Sequence, residues 1–397
     1  MRIFFNLAIA SLTLFPLFAT EISPSLDQNY KALEEIARKE EVEIKILIVD
    51  HKEGALIDVQ GGFVILNPET NKPIITSSKS KRNFLQISEA TIKWGSDGFP
   101  GLTHIRIVPK NKNGAILIDG IQYKGSLDVY NMSGHLQFVN CLDVEHLLTC
   151  LLSNHFPATT YHRTTYEALA ITVRTHLYHT ILKATNPFFH AKGDDIGYFG
   201  LGAARINPSV DKAVLHTKHL ILVYKDFPFP TAWTENSAGK TASYEEIFRK
   251  KSDGPGGVCV TYAQKEREKH SWKCILTKRE IAKAYNLSYL KSVELFQESS
   301  AKKIYALRLS DGEQVVDTTF FTFQRTFGKN RILSNDFTIH VGQDAITLQG
   351  YGQGPGVGIC LFSADAMARI GSATHHILSE FFPATHLVKL DVLPVAE

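Results

Sequence analysis

A chain of 397 residues is long enough for two or three domains or lobes, and at 44% hydrophobic and 21% charged its composition is ordinary for a globular protein. A formal net charge of +3 gives no reason to expect nucleic acid or a membrane surface as partner. Beyond the N-terminus no low-complexity tract occurs, and no apolar run is long enough to span a bilayer.

The start reads as a targeting segment. Met1-Arg2-Ile3 is a minimal basic head, Phe4 to Ala19 is uncharged and mostly apolar, and polar sequence follows from Glu21. Residues 1–20 therefore read as a secretory signal peptide with cleavage near Ala19 or Thr20. The expected location is outside the cytoplasm, in the periplasm or cell envelope. An uncleaved anchor is the alternative, and it is the one expected contact with a membrane.

Gln28 to Lys39 is a short polar helix candidate. From Glu43 the period changes: Ile44, Ile46 and Ile48 alternate in the manner of a strand. Turn signals at Gly54, Gly61-Gly62, Asn67-Pro68, Gly98, Gly101 and Asn113-Gly114 separate short runs such as Phe63 to Leu66, Ile105 to Val108 and Ala115 to Ile118. Residues 40–140 are predicted to form a strand-rich lobe.

The chain is organised around Leu142 to Tyr178. Val144, Leu147, Leu148, Leu151 and Leu152 have the spacing of a helix with one buried face, with Asp143 and Glu145 in its first turn. Pro157 breaks it. Thr164 to Leu182 predicts a second helix, with Ala168, Ile171, Leu177 and Ile181 apolar. Arg174 lies among them and needs a carboxylate or carbonyl partner, as in a strut between helices.

Further on, Val210 to Leu215 reads as a helix and Leu220 to Tyr224 as a strand, and a later helix is predicted near Lys278 to Tyr285. Strand-like runs follow at Leu290 to Leu295 and Ile304 to Leu309. Ala232 to Thr241 reads AWTENSAGKT; small hydroxyl residues and glycine there fit either an ordinary polar turn or a surface on which backbone amides approach a ligand. Gly350, Gly352, Gly354, Gly356 and Gly358 occupy alternate positions, so a strand through them would carry one bare side. No phosphate-loop lysine accompanies them. Five cysteines leave one over in an exported protein, and a hairpin disulfide between Cys259 and Cys274 is an option. No Cys/His cluster appears, so no structural zinc is expected.

These stretches together resemble the SpoIID/LytB family, the stage II sporulation protein D and amidase-enhancer proteins. Glu145, Leu147-Leu148, Leu151-Leu152 and Phe156-Pro157 resemble the first half of its core motif, and Thr164 to His176 the second. The run Tyr123-Lys-Gly125-Ser-Leu127 to Val139-Asn140, the Ser237-Gly239-Thr241 turn, Phe323 to Phe337, the glycine series and His376 to Thr385 follow in family order. The resemblance covers roughly residues 43–390, of which 141–390 would be the core. It departs from the pattern at the chemistry. The family's catalytic glutamate falls on His155, Pro355 and Cys360-Leu361 replace a histidine and a Ser-Gln pair, and the paired metal cysteines near Asp194 are missing.

The resemblance implies an α+β fold, with strand-rich lobes around a central helix pair. It implies action on peptidoglycan glycan strands stripped of peptides, at the bond between muramic acid and glucosamine; no cofactor is expected, and the missing paired cysteines leave no metal expected. His155 stands at the catalytic position. Arg174, Ser237, Gly239, Thr241, Gly354, Gly356 and Gly358 form the implied glycan-binding set, meeting His155 at one cleft, with a bare glycine wall where a bulky residue at 356 would block the strand without unfolding the protein. Glu145 sits about 80° around the helix from His155; Glu167 and Glu235 are the other carboxylates weighed as a relocated acid. Two readings compete: a strand binder that recruits or regulates an amidase or other wall enzyme, and a working lytic transglycosylase. A structural envelope protein is the third.

Overall fold

The computed structural model describes residues 32, 33, 35, 41–111, 114–156, 160–201 and 207–390. The expected signal peptide lies outside the described residues, as does most of the Gln28–Lys39 helix. The fold is mixed α+β, with helices and several sheets in one chain.

Among the described residues, twelve strands run from Glu43 to Asp143 and build two sheets. The first has the order 191–192, 43–52, 135–143, 126–132, 104–109, 63–67 and 72–77. The second has the order 121–123, 116–118, 54–59, 81–88, 91–94 and 97–99. Alternation places Ile44, Ile46, Ile105, Ile107 and Val129 of the first sheet in one core with Ala55, Ile57, Val59, Leu85 and Trp94 of the second. The final strand runs straight into the helix pair, because Asp143 stops the ladder and caps a helix with its own side chain.

Helix α1 is Val144–His155. Asp143 is its N-cap rather than part of its first turn: the carboxylate accepts from the amides of Glu145 at 2.8 Å and His146 at 3.3 Å. Helix α2 is Arg163–Leu182, and every residue from Ala168 to Thr175 is buried. A helix covered on all sides belongs at the centre of a fold. Arg174 is 0% exposed within it. Its five N–H groups are all used: Nε and Nη2 clasp both oxygens of Glu145 at 2.7 Å, and the others reach Thr217 Oγ1, Leu220 O and Val214 O. Arg174 is therefore a strut between α1, α2 and the 214–220 segment. The implied glycan-binding role fails for it, because no donor remains and no sugar can reach it.

Residues 272–348 bury their own apolar cluster, including Leu276, Ile281, Leu307, Phe320, Phe323 and Leu348, separate from the main core. Two three-stranded sheets frame it, 271–277 with 345–351 and 337–341, and 292–297 with 304–310 and 315–319. The chain then returns to the main core, where His386–Lys389 pairs with Leu220–Val223. The inserted unit is amphipathic strand and helix in the same mixture as its surroundings, so composition does not mark its edges.

On the outer face of the seven-stranded sheet, Asp128 is 0% exposed and held bidentately by Arg106 at 2.6 and 2.7 Å. Burial by itself would raise its carboxyl, but the Arg106 and His104 contacts hold it well below the usual carboxylate range. A carboxyl depressed in the folded state contributes stability that is fully present above its unfolded value and is lost as pH falls. Wild type should therefore lose its advantage over Asp128→Asn below about pH 3.8, by up to about 1.4 kcal/mol per pH unit. Urea unfolding of both proteins between pH 2.5 and 7 measures the gap, and parallel stability curves would refute this account.

Candidate functional site

Helix α1 ends at His155, with Phe156 as its C-cap. The imidazole stands in the last turn of the helix. Opposite, Trp233–Thr234 forms a short parallel ladder with Ile359–Cys360, and Glu235 follows at once. Its backbone oxygen accepts from Phe362 N at 2.9 Å, which fixes the direction of the turn.

This geometry brings Glu235 Oε1 to 3.1 Å from His155 Nε2, across 80 residues of sequence. The side chains are 44% and 25% exposed, so the pair is open to solvent on one side. Trp233 meets the imidazole edge-on at 5.4 Å, and Phe156 meets it at 4.7 Å. Tyr161 packs on Phe156 at 5.7 Å. Its phenol is pushed up to about 12, first by burial and then by the charge of Glu235. A half-exposed histidine and carboxylate in contact, with aromatic rings around them, can hold and pass a proton.

Of the three carboxylates weighed from sequence, Glu235 alone reaches His155. Glu145 is committed to Arg174. Glu167 bonds Arg163 at 2.7 Å and Thr374 Oγ1 at 2.9 Å. Trp233 and Tyr161 were missed in the sequence, although Trp233 lies in the AWTENSAGKT stretch two residues before the acid.

The implied binding floor is corrected. Ser237 and Thr241 are 1% and 2% exposed. Thr241 Oγ1 accepts from Val258 N at 2.9 Å, and Lys303 Nζ donates to Ser237 O at 2.7 Å. Gly239 packs against Gln264, where a Cβ would lie 2.9 Å from that side chain. These residues shape the turn that carries Glu235 and present no surface to a sugar.

The glycine wall is corrected as well. Only Gly350 lies in a strand, and Gly352, Gly354, Gly356 and Gly358 all have positive φ, from 64° to 97°. Repeated left-handed residues coil the chain, so no flat bare face forms. The space their missing side chains leave is filled by the protein itself: a Cβ at Gly358 would lie 1.9 Å from Ala232 O, and at Gly356 2.8 Å from Lys303 Cε. A bulky residue at 356 would thus disturb the fold, contrary to the expectation above. At Gly354 the space is taken by Glu235 Oε2 and Thr234 Oγ1, 2.5 and 2.6 Å from where a Cβ would lie, so glycine there lets the carboxyl pack against the backbone.

Gly358→Ala should cost at least about 3 kcal/mol, since backbone must move. Gly371 also has positive φ but has nothing within 4 Å of its Cβ position, so Gly371→Ala should cost about 1–2 kcal/mol from conformation alone. Equal midpoints in thermal melts of the two variants would show that close approach is not the reason for glycine at 358.

All five cysteines are free thiols, so the Cys259–Cys274 hairpin disulfide is not formed. Cys259 is exposed, while Cys274 turns into the core of the inserted unit. Among the described residues no group of three or more His, Cys, Asp or Glu is placed to hold a metal ion. His190 Nδ1 accepts from Lys45 N at 3.1 Å and so secures a sheet edge. No helix among the described residues is long and apolar enough to cross a membrane.

No protein-family model matches the chain. An uncharacterized protein of Chlamydia pneumoniae is 30% identical over 185 residues, which is 46% of this chain and 66% of that protein. One of Chlamydia muridarum is 27% identical over 184 residues, 46% of this chain and 63% of that protein. One of Brachyspira hyodysenteriae is 24% identical over 352 residues, 87% of this chain and 92% of that protein. The chain thus spans just under two thirds of the length of the two chlamydial proteins and nearly the whole of the third.

Proposed function

We propose that this chain is an exported cell-envelope protein of SpoIID/LytB type that binds peptide-free peptidoglycan strands and cleaves them between muramic acid and glucosamine. The observation that carries this reading is the contact of Glu235 with His155 at the position where the family's catalytic glutamate is absent. A carboxylate arriving from the 233–235 strand end replaces one lost from the end of α1.

The pair would work with a single shared proton. As the bond between the sugar carbon and the bridging oxygen breaks, the pair delivers that proton to the leaving oxygen. The primary hydroxyl of the muramic acid attacks the same carbon, and its proton returns to the pair. An anhydro ring closes, no water is consumed, and the pair regains its starting state. The Glu235 carboxyl, 25% exposed, is the group that faces substrate in this scheme. His155 holds Oε1 and spreads the charge.

The protein partner would be an amidase or another wall enzyme acting on the same strands. The test is incubation of the purified mature chain with denuded glycan strands. Sedimentation reports binding, and mass spectrometry reports anhydro-muramic ends. Ends formed by wild type support cleavage. Binding without ends identifies a regulator on this scaffold, and strands that stay in the supernatant and intact overturn the glycan reading.

A further inference from the structure

The turn bearing Glu235 makes few bonds through its own side chains. Asn236 Nδ2 and Ser237 Oγ are buried without a partner. Its position is set through its backbone. On one side the main core holds it, by the Asn236–Gln353 bridge and by the bond from Phe362 N to Glu235 O. On the other side two cations hold its carbonyls: Lys303 Nζ donates to Ser237 O, and Arg267 Nη1 donates to Ala238 O, each at 2.7 Å.

Both cations converge on one carboxylate. Asp336 accepts from Lys303 at 2.8 Å and from both Arg267 nitrogens at 2.7 and 2.9 Å. Lys303 is 1% exposed, so its ammonium is tolerable only with these acceptors. Lys303 and Asp336 each immediately precede a strand of the inserted unit, Ile304–Ser310 and Phe337–Val341. Ala238 also sits at φ 55°, a strained value for alanine that the surrounding bonds must maintain.

We propose that the Arg267–Asp336–Lys303 triad is a positioning device through which the inserted unit sets Glu235 against His155. This rests on the assignment of Glu235 to the site above. The triad touches no substrate; it acts through the 235–238 turn. Its chemistry suits that purpose, because two cations that share one partly buried carboxylate and each grip a carbonyl of the turn form a clamp whose members cannot move independently.

The experiment compares Lys303→Met with wild type and with Glu235→Gln. The readout is the set of imidazole proton and nitrogen signals of His155 in the purified full chain. If the triad positions Glu235, the His155 signals of Lys303→Met move toward those of Glu235→Gln while the rest of the spectrum stays folded. Unmoved His155 signals in a folded Lys303→Met overturn the proposal. Should Lys303→Met fail to fold, Arg267→Lys at the rim is read in the same way, with the same two outcomes. Where strand cleavage is measurable, kcat should fall on the order of tenfold to a hundredfold with KM unchanged. Absence of cleavage in wild type would refute the enzymatic reading and leave the spectroscopic test of positioning intact.

Discussion

Glu235→Gln should lower the rate of anhydro-end formation by on the order of a thousandfold while leaving strand sedimentation near wild type. The amide keeps the shape and one hydrogen bond to His155 but can neither deliver nor accept the proton. His155→Ala should produce a loss of similar size, because the remaining carboxylate lacks the partner that holds Oε1 at 3.1 Å. The double variant is the sharper experiment. Groups that act as one unit lose their effect once, so the double variant should be little worse than either single one. Fully additive losses would show that the two act separately. Both side chains are partly exposed, so melting temperatures should stay close to wild type, which separates chemistry from stability. If Glu235→Gln retains full turnover, the carboxylate is not the acid.

Arg174→Met should be the most costly of the side-chain replacements for folding, at roughly 3–5 kcal/mol. Methionine preserves the volume of the stem but abandons five hydrogen bonds at once. Glu145 would keep its charge beside the core with no partner, and Val214 O and Leu220 O would lose a donor each. Arg174→Lys should rescue little, since one nitrogen cannot span the two Glu145 oxygens and the 214–220 carbonyls together. Arg174→Met combined with Glu145→Leu should recover part of the loss by removing the unpaired charge. The measurement is the urea midpoint of each variant. A midpoint for Arg174→Met within error of wild type would mean that the strut carries no stability.

The two predictions rest on residues that were legible in the sequence to different degrees. The need of Arg174 for a carboxylate partner could be stated from its apolar surroundings, because an unpaired guanidinium cannot be buried. Which carboxylate it takes could not. Glu145 lies 29 residues away, and only the packing of α1 on α2 brings them together. His155 was marked only through the resemblance, whose catalytic position it occupies, and the identity of its partner depended on a strand that ends at Thr234 beside Ile359–Cys360.

What the sequence determined by itself is local: the apolar spacing of α1, the alternation of the Glu43 strand and the strand-rich character of the first lobe. Each follows from a period or a side-chain preference that acts within a few residues. Tertiary structure alone decided the site and the role of the small residues. Glycine at every second position is equally compatible with a flat strand or a coil. The approach of residues 232–238 to the Cβ positions of Gly352, Gly354 and Gly358, and of Lys303 to that of Gly356, goes with positive φ and turned the expected open wall into packed interior. In the same way the Ser237–Thr241 turn lies inside rather than on the surface because the inserted unit closes over it through Lys303 and Asp336. Contacts of this length depend on how whole elements dock, and no period in the sequence records them.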